Sequence, residues 1–182
     1  DMLLGLLNPT EGNIYIDGKN LKDLNFNWFK IVGHIPQEIY ILDESIKSNI
    51  AFGKKENEID LKKIELAVRE SQLSEFVERL PKKIDNEVGE RGSNISGGEK
   101  QRIGIAQILL HLPKILVVDE PTAGLDPLER IRFRNLLVEL SRERIVVFST
   151  HIIEDIASSC NNLAVLISGN IEYIGSPTAM AE

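Results

Sequence analysis

The sequence predicts an α/β fold: a mostly parallel sheet with helices, some antiparallel strand at its edge, and a helical lobe. Three observations predict it. Ile115-Leu116-Val117-Val118 and Ile145-Val146-Val147-Phe148 are continuous apolar runs of strand length, as expected for strands buried on both faces of a parallel sheet. Between them Leu128, Ile131, Leu136, Leu137 and Leu140 mark a helix, which makes a strand–helix–strand unit. Farther on, Leu163 to Ile167 and Ile171 to Ile174 flank Ser168-Gly169-Asn170, which reads as a hairpin turn between antiparallel strands.

Taken in order, Met2 to Leu7 reads as the end of a buried helix, stopped by Asn8-Pro9. Asn13-Ile14-Tyr15-Ile16-Asp17 alternates polar and apolar residues before Gly18, the pattern of a half-buried strand and a turn. Ile31 to Pro36 is a second short strand ended by proline. Leu61, Ile64 and Ala67 or Val68 recur at helical spacing with charges between them, so residues 60 to 80 form an amphipathic helical region. Asp60 is its N-cap, and a second short helix begins after Ser71 or Ser74. Ile41 to Pro81 is expected to stand as a helical lobe apart from the sheet. A further helix runs from Gly97-Gly98 through Ile103, Ala106, Leu109 and Leu110, ending before Pro113.

Composition narrows the function classes. The 182 residues suffice for one ordinary domain. With 42% hydrophobic and 27% charged residues, the chain is globular rather than disordered. The 21 Lys+Arg against 28 Asp+Glu give a net charge of -7, which argues against nonspecific nucleic-acid binding. No apolar run approaches the roughly 20 residues that cross a bilayer. A single cysteine, Cys160, permits no internal disulfide; it fits a reducing compartment, or simply a small buried core position. No signal peptide opens the chain. It starts at Asp1 on an apolar stretch, and the expectation is that the N-terminus has been cut.

Two constellations carry chemistry. Ile115 to Val118 runs into Asp119-Glu120. A carboxylate pair at the C-terminal end of a parallel strand faces the crevice where ligands bind. There Asp119 suits Mg²⁺ and Glu120 suits orienting or deprotonating a water; an acidic pair also serves simply to cap the next element. The second is Asn94-Ile95-Ser96-Gly97-Gly98-Glu99 before a helix. Its small residues leave backbone N–H groups open to a phosphate, or form a flexible linker.

With these residues in place the chain resembles the nucleotide-binding domain of ATP-binding cassette (ABC) transporters. Ile95-Ser96-Gly97-Gly98-Glu99 resembles the family's signature motif, and Ile115 to Asp119 its Walker B strand, with Glu120 at the catalytic glutamate. Ala123-Gly124-Leu125-Asp126 resembles the D-loop, His151 the switch histidine and Gln37 the Q-loop. Seen singly, Gln37 also reads as a surface polar residue and His151 as a core histidine; their order and spacing carry the resemblance. It implies a P-loop NTPase-type fold and an ATPase that binds ATP and Mg²⁺ and works as a head-to-tail dimer. Glu120 and His151 would be catalytic, and Asp119 and Gln37 would hold or sense the metal. Ser96, Gly97 and Gly98 would reach the γ-phosphate of a second nucleotide-binding domain, and Asp126 would run along the dimer seam. Residues near Glu38 to Asn49 would face a transmembrane domain, at the cytoplasmic face of the cell membrane. Residues 1–182 would be a partial domain, with about 41–110 as helical lobe and 1–40 and 111–182 as parts of the ATPase core.

The phosphate loop G-x-x-x-x-G-K-[ST] does not occur in these residues; Gly18-Lys19 and Gly53-Lys54 both lack its spacing. Nor is the aromatic residue that the family stacks on adenine found. The chain is therefore expected to start just after that loop, as a piece of a longer protein. The 182 residues alone are expected to be inactive, and poorly soluble or dimeric through bare core surface. Paired with a complete protomer, Ser96 to Gly98 would complete one site while Glu120 had no nucleotide to act on. Asn13 to Arg102, with Phe26-Asn27-Trp28, Asp43-Glu44-Ser45-Ile46 and Glu90-Arg91-Gly92, resembles exporters fused to their membrane domain. Gln107, Pro121-Thr122-Ala123-Gly124-Leu125-Asp126 and Ser149-Thr150-His151-Ile152 resemble stand-alone efflux subunits, with the switch between Arg102 and Gln107. An inactive fragment or regulatory half-subunit, and a soluble ABC protein outside transport, stay open as alternatives.

Overall fold

The computed structural model describes residues 1–24 and 26–180, and only the backbone of Phe26. The chain opens on a turn over residues 2–5. Leu6 N–H donates to Asp1 O and Gly5 N–H to Met2 O, and Gly5 has φ +76°. That pair of bonds around a left-handed glycine is the capping pattern of a helix C-terminus. The chain therefore turns at Gly5 and not at Asn8-Pro9. Leu4 alone of Met2–Leu7's large side chains is buried; Met2, Leu3, Leu6 and Leu7 are exposed.

β1 (Tyr15–Ile16) pairs antiparallel with β2 (Lys19–Asn20) across Asp17-Gly18. α1 (Leu21–Leu24) and α2 (Phe26–Ile31) come after it. Periodicity does not flag them, because each is too short to repeat a face. Buried Trp28 of α2 donates from its indole nitrogen to Leu3 O at 3.2 Å, which ties down the opening turn. β3 (Val32–Ile35) comes next. α3 (Ile46–Ile50) is capped by Ser45, and α4 (Leu61–Glu70) by Asp60, whose carboxylate accepts from the Lys62 and Lys63 N–H groups. α5 (Ser74–Arg79) starts at Ser74 itself, without a side-chain cap.

α6 (Gly97–Leu109) lies at the centre, packed on α3, α4, β3 and the later α7. Ile103, Ile105, Ala106 and Leu109 are buried around much of its circumference, as a helix enclosed by neighbours requires. β4 (Ile115–Val118), α7 (Pro127–Leu140) and β5 (Ile145–Phe148) form the strand–helix–strand unit. α8 (Ile153–Ser159), the hairpin β6 (Leu163–Ile167) and β7 (Asn170–Gly175), and α9 (Pro177–Met180) close the chain.

Among the described residues β3, β4 and β5 form a parallel sheet in that order, and each antiparallel pair is a separate two-stranded ribbon. One buried cluster joins sheet and helical region: Ile35, Leu116 and Val118 share it with Ile46, Ile64, Ile103, Phe133 and Leu136. Among the described residues the sheet is covered on one face. Leu116 and Val118 point into the cluster, Ile115 and Val117 are half-buried, and Ile145 and Val147 are exposed. The helices cover one face of the sheet, and period-two alternation puts the neighbouring residues on the other.

The sheet meets α6 at Gly33. A Cβ there would lie 2.1 Å from Ile108 Cγ2 and 3.2 Å from Pro113 Cγ. Gly33→Ala is expected to push α6 off the sheet and cost about 1–3 kcal/mol. A thermal melt equal to the parent's would refute this.

Candidate active site

The register of the parallel sheet aligns three strand ends. Ile35, Val118 and Phe148 lie side by side. Backbone bonds extend the alignment by one residue: Asp119 N–H donates to Ile35 O and Ser149 N–H to Val118 O, each at 3.0 Å. The segments leaving the three strands therefore converge at one edge, where a doubly wound sheet binds ligands.

The convergence centres on Glu120. Gln37 Nε2 donates to its Oε2 at 3.5 Å, and His151 Nδ1 lies 3.3 Å from the same oxygen. The Glu120 side chain is 34% and that of His151 69% exposed, so a ligand can reach both. Glu120 N–H donates to Ser149 Oγ at 3.0 Å, and that hydroxyl donates to Asp119 Oδ1. Glu120 has φ 40°. A left-handed backbone at a residue with a side chain costs about 1–3 kcal/mol and persists where surrounding contacts hold it.

Asp119 is exposed at the end of β4. Its carboxylate and the Gln37 amide oxygen are hard donors, and this pair suits magnesium, which binds through one or two carboxylates with waters and phosphate oxygens. Among the described residues no group of three or more His, Cys, Asp or Glu side chains is placed to hold a metal ion.

Ser96, Gly97, Gly98 and Asp126 belong to a second cluster. Ser96 caps α6 in a reciprocal box with Glu99. Asp126 caps α7, accepting from the Leu128 and Glu129 N–H groups at 3.0 Å. The two helix starts abut at Gly98, where a Cβ would lie 2.3 Å from Glu129 Oε2. Glu129 pairs with Arg102 at 2.9 Å and Arg132 at 2.7 Å. Gln101 Nε2 of α6 donates to Gln37 O at 3.0 Å, which connects this cluster to the strand-end group.

Two residues of the site are not legible in the sequence. Asp155 of α8 is 1% exposed and accepts from the hydroxyls of Thr122 and Thr150 and from Arg134 Nη1. Ser149 likewise joins two strand ends. Neither role is signalled by periodicity, because most of the partners are distant in sequence; Thr150 alone is near, five residues before Asp155.

Beneath the site, His34 of β3 is partly buried. Burial lowers its pKa from the ordinary 6.5, opposed by the Asp119 carboxylate. The unfolded chain then takes up this proton first as pH falls. Stability is complete above the ordinary 6.5 and declines as pH drops toward the folded-state value. His34→Gln is expected to flatten the loss of stability as pH falls below the ordinary 6.5. An unchanged slope in urea unfolding across that range would count against it.

The ABC transporter family model matches residues 1–123. The chain is 34% identical over 176 residues to ATP-binding cassette sub-family B member 5 of Homo sapiens, covering 96% of this chain and 14% of that protein. It is 33% identical over 176 residues to an ABC transporter ATP-binding protein of Sinorhizobium fredii, covering 96% and 30%. Both alignments run through the two halves, on either side of Arg102 to Gln107. The structure of a bacterial Atm1-family ABC exporter with ATP bound matches at TM-score 0.84 and 31% identity, covering 98% of this chain and 31% of that one. The chain thus spans less than a third of the length of each of these proteins. Matched by the family model over two-thirds of its length and by these relatives over nearly all of it, the chain belongs to the ABC transporter family.

Proposed function

We propose that this chain is the ATP-hydrolysing part of an ABC exporter, working at the cytoplasmic face of a membrane. The observation that carries the reading is the convergence of Gln37 and His151 on one Glu120 oxygen. That oxygen is the base: a water placed between it and the γ-phosphate loses its proton to Glu120 as its oxygen bonds to phosphorus. The bond from phosphorus to the ADP oxygen breaks, and the electron pair leaves with ADP. His151 orients Glu120 through Nδ1, and its other ring nitrogen is free to face the phosphate. Asp119 and Gln37 would hold magnesium, which when bound neutralises phosphate charge.

Ser96, Gly97 and Gly98 open α6, and the helix N-terminus favours an anion. Their role is to complete the nucleotide site of a second nucleotide-binding domain, with Asp126 at the seam. Closing and opening of that pair would drive a transmembrane domain, contacted through Glu38 to Asn49. Nucleic acid is not a partner in this reading, given the acidic charge. Phosphate release by the full-length protein tests this reading: loss in Glu120→Gln supports it, and full turnover in that variant overturns it.

A further inference from the structure

We infer that Ser149 is a positioning residue that sets the metal-binding Asp119 and the base Glu120 at a fixed angle to each other. The inference rests on the reading of Glu120 as base. Ser149 already makes the ordinary ladder bond from its N–H to Val118 O. Its hydroxyl is free for other work and is used in both directions, accepting from Glu120 N–H at 3.0 Å and donating to Asp119 Oδ1. The three groups thus form one directed chain, in which each bond polarises the next.

The hydroxyl has two effects on the site. Committing Asp119 Oδ1 to it orients the carboxylate and leaves the other oxygen for a metal. Holding the Glu120 N–H helps fix the left-handed backbone from which its side chain reaches Gln37 and His151. Ser149 also lies two residues before His151, so one strand end sets base, metal ligand and histidine together. Ser149 is exposed, so removing its hydroxyl leaves no core cavity.

The test uses full-length protein with Ser149→Ala, Ser149→Thr and Glu120→Gln. Ser149→Ala is expected to lower kcat about tenfold and to weaken Mn²⁺ binding to the ATP complex, read by electron paramagnetic resonance, by about tenfold. Its Tm and its metal-free ATP affinity should stay at the parent's values, and its KM for metal-bound ATP should rise with the lost metal affinity. Ser149→Thr keeps the hydroxyl and should restore both losses. Parent-like kcat and Mn²⁺ affinity in Ser149→Ala, with turnover lost in Glu120→Gln, would overturn the inference and leave the base standing. A kcat loss that Ser149→Thr does not rescue, with Mn²⁺ affinity unchanged, would also overturn it. Full turnover in Glu120→Gln would remove the base and the inference together.

Discussion

Glu120→Gln is expected to lower ATP turnover of the full-length protein by about 10²–10⁴-fold while leaving ATP binding intact. The amide has nearly the shape of the carboxylate, so Gln37 and His151 keep a partner at Oε1 or Nε2. It has no basicity, so the attacking water keeps its proton. Phosphate release measures the loss, and equilibrium binding of a fluorescent ATP analogue measures the retention. Loss of both would point to a binding role for Glu120, and loss of neither would remove it from the chemistry. An acidic side chain used only as a cap predicts loss of neither. Its position argues against that role too: the next helix, α7, is capped by Asp126 and not by Glu120.

Asp155→Ala is expected to destabilise the fold by about 3–5 kcal/mol, because it breaks a buried pair and leaves its partner's charge uncompensated. For a domain of this size that is roughly 6–20 °C in Tm. Asp155 is 1% exposed and gathers Thr122 from the loop after β4, Thr150 from the end of β5 and Arg134 from α7. Arg134 also donates to Glu154 O at 2.9 Å, which anchors the start of α8. Removing the carboxylate therefore loosens both segments that carry Glu120 and His151. Combining Asp155→Ala with Arg134→Leu should recover part of the loss, since the stranded charge goes with it. A double variant no more stable than Asp155→Ala would show that the pair's charge is not the source.

The strand–helix–strand unit, the late hairpin and the helices over 61–70 and 97–109 are legible because each repeats its pattern several times within one element. The opening turn is not, because Met2 to Leu7 is almost wholly apolar, and composition says nothing of where the chain bends. Gly5 decides that with φ +76°, a single backbone state inside an apolar run. Among the described residues the apolar runs of β4 and β5 are covered on one face. A continuous apolar run shows what a strand tolerates on each face, while its neighbours decide which face is covered. Gln37, Asp119, Glu120 and His151 stand out through a resemblance across separated motifs, and the parallel register is what brings them together at one edge.

By itself, the sequence determined the α/β class, the order of the main elements, and the residue types at the strand ends. These arise from local periodicity and local chain stiffness, which act over a few residues at a time. Tertiary structure alone decided that Ser149 bridges Asp119 and Glu120, that Asp155 knots Thr122, Thr150 and Arg134 together, and that Gly33 and Gly98 sit at close approaches between elements. Most of these are contacts between segments far apart in the chain, set by distance in space after packing, and no pattern among neighbouring residues encodes them.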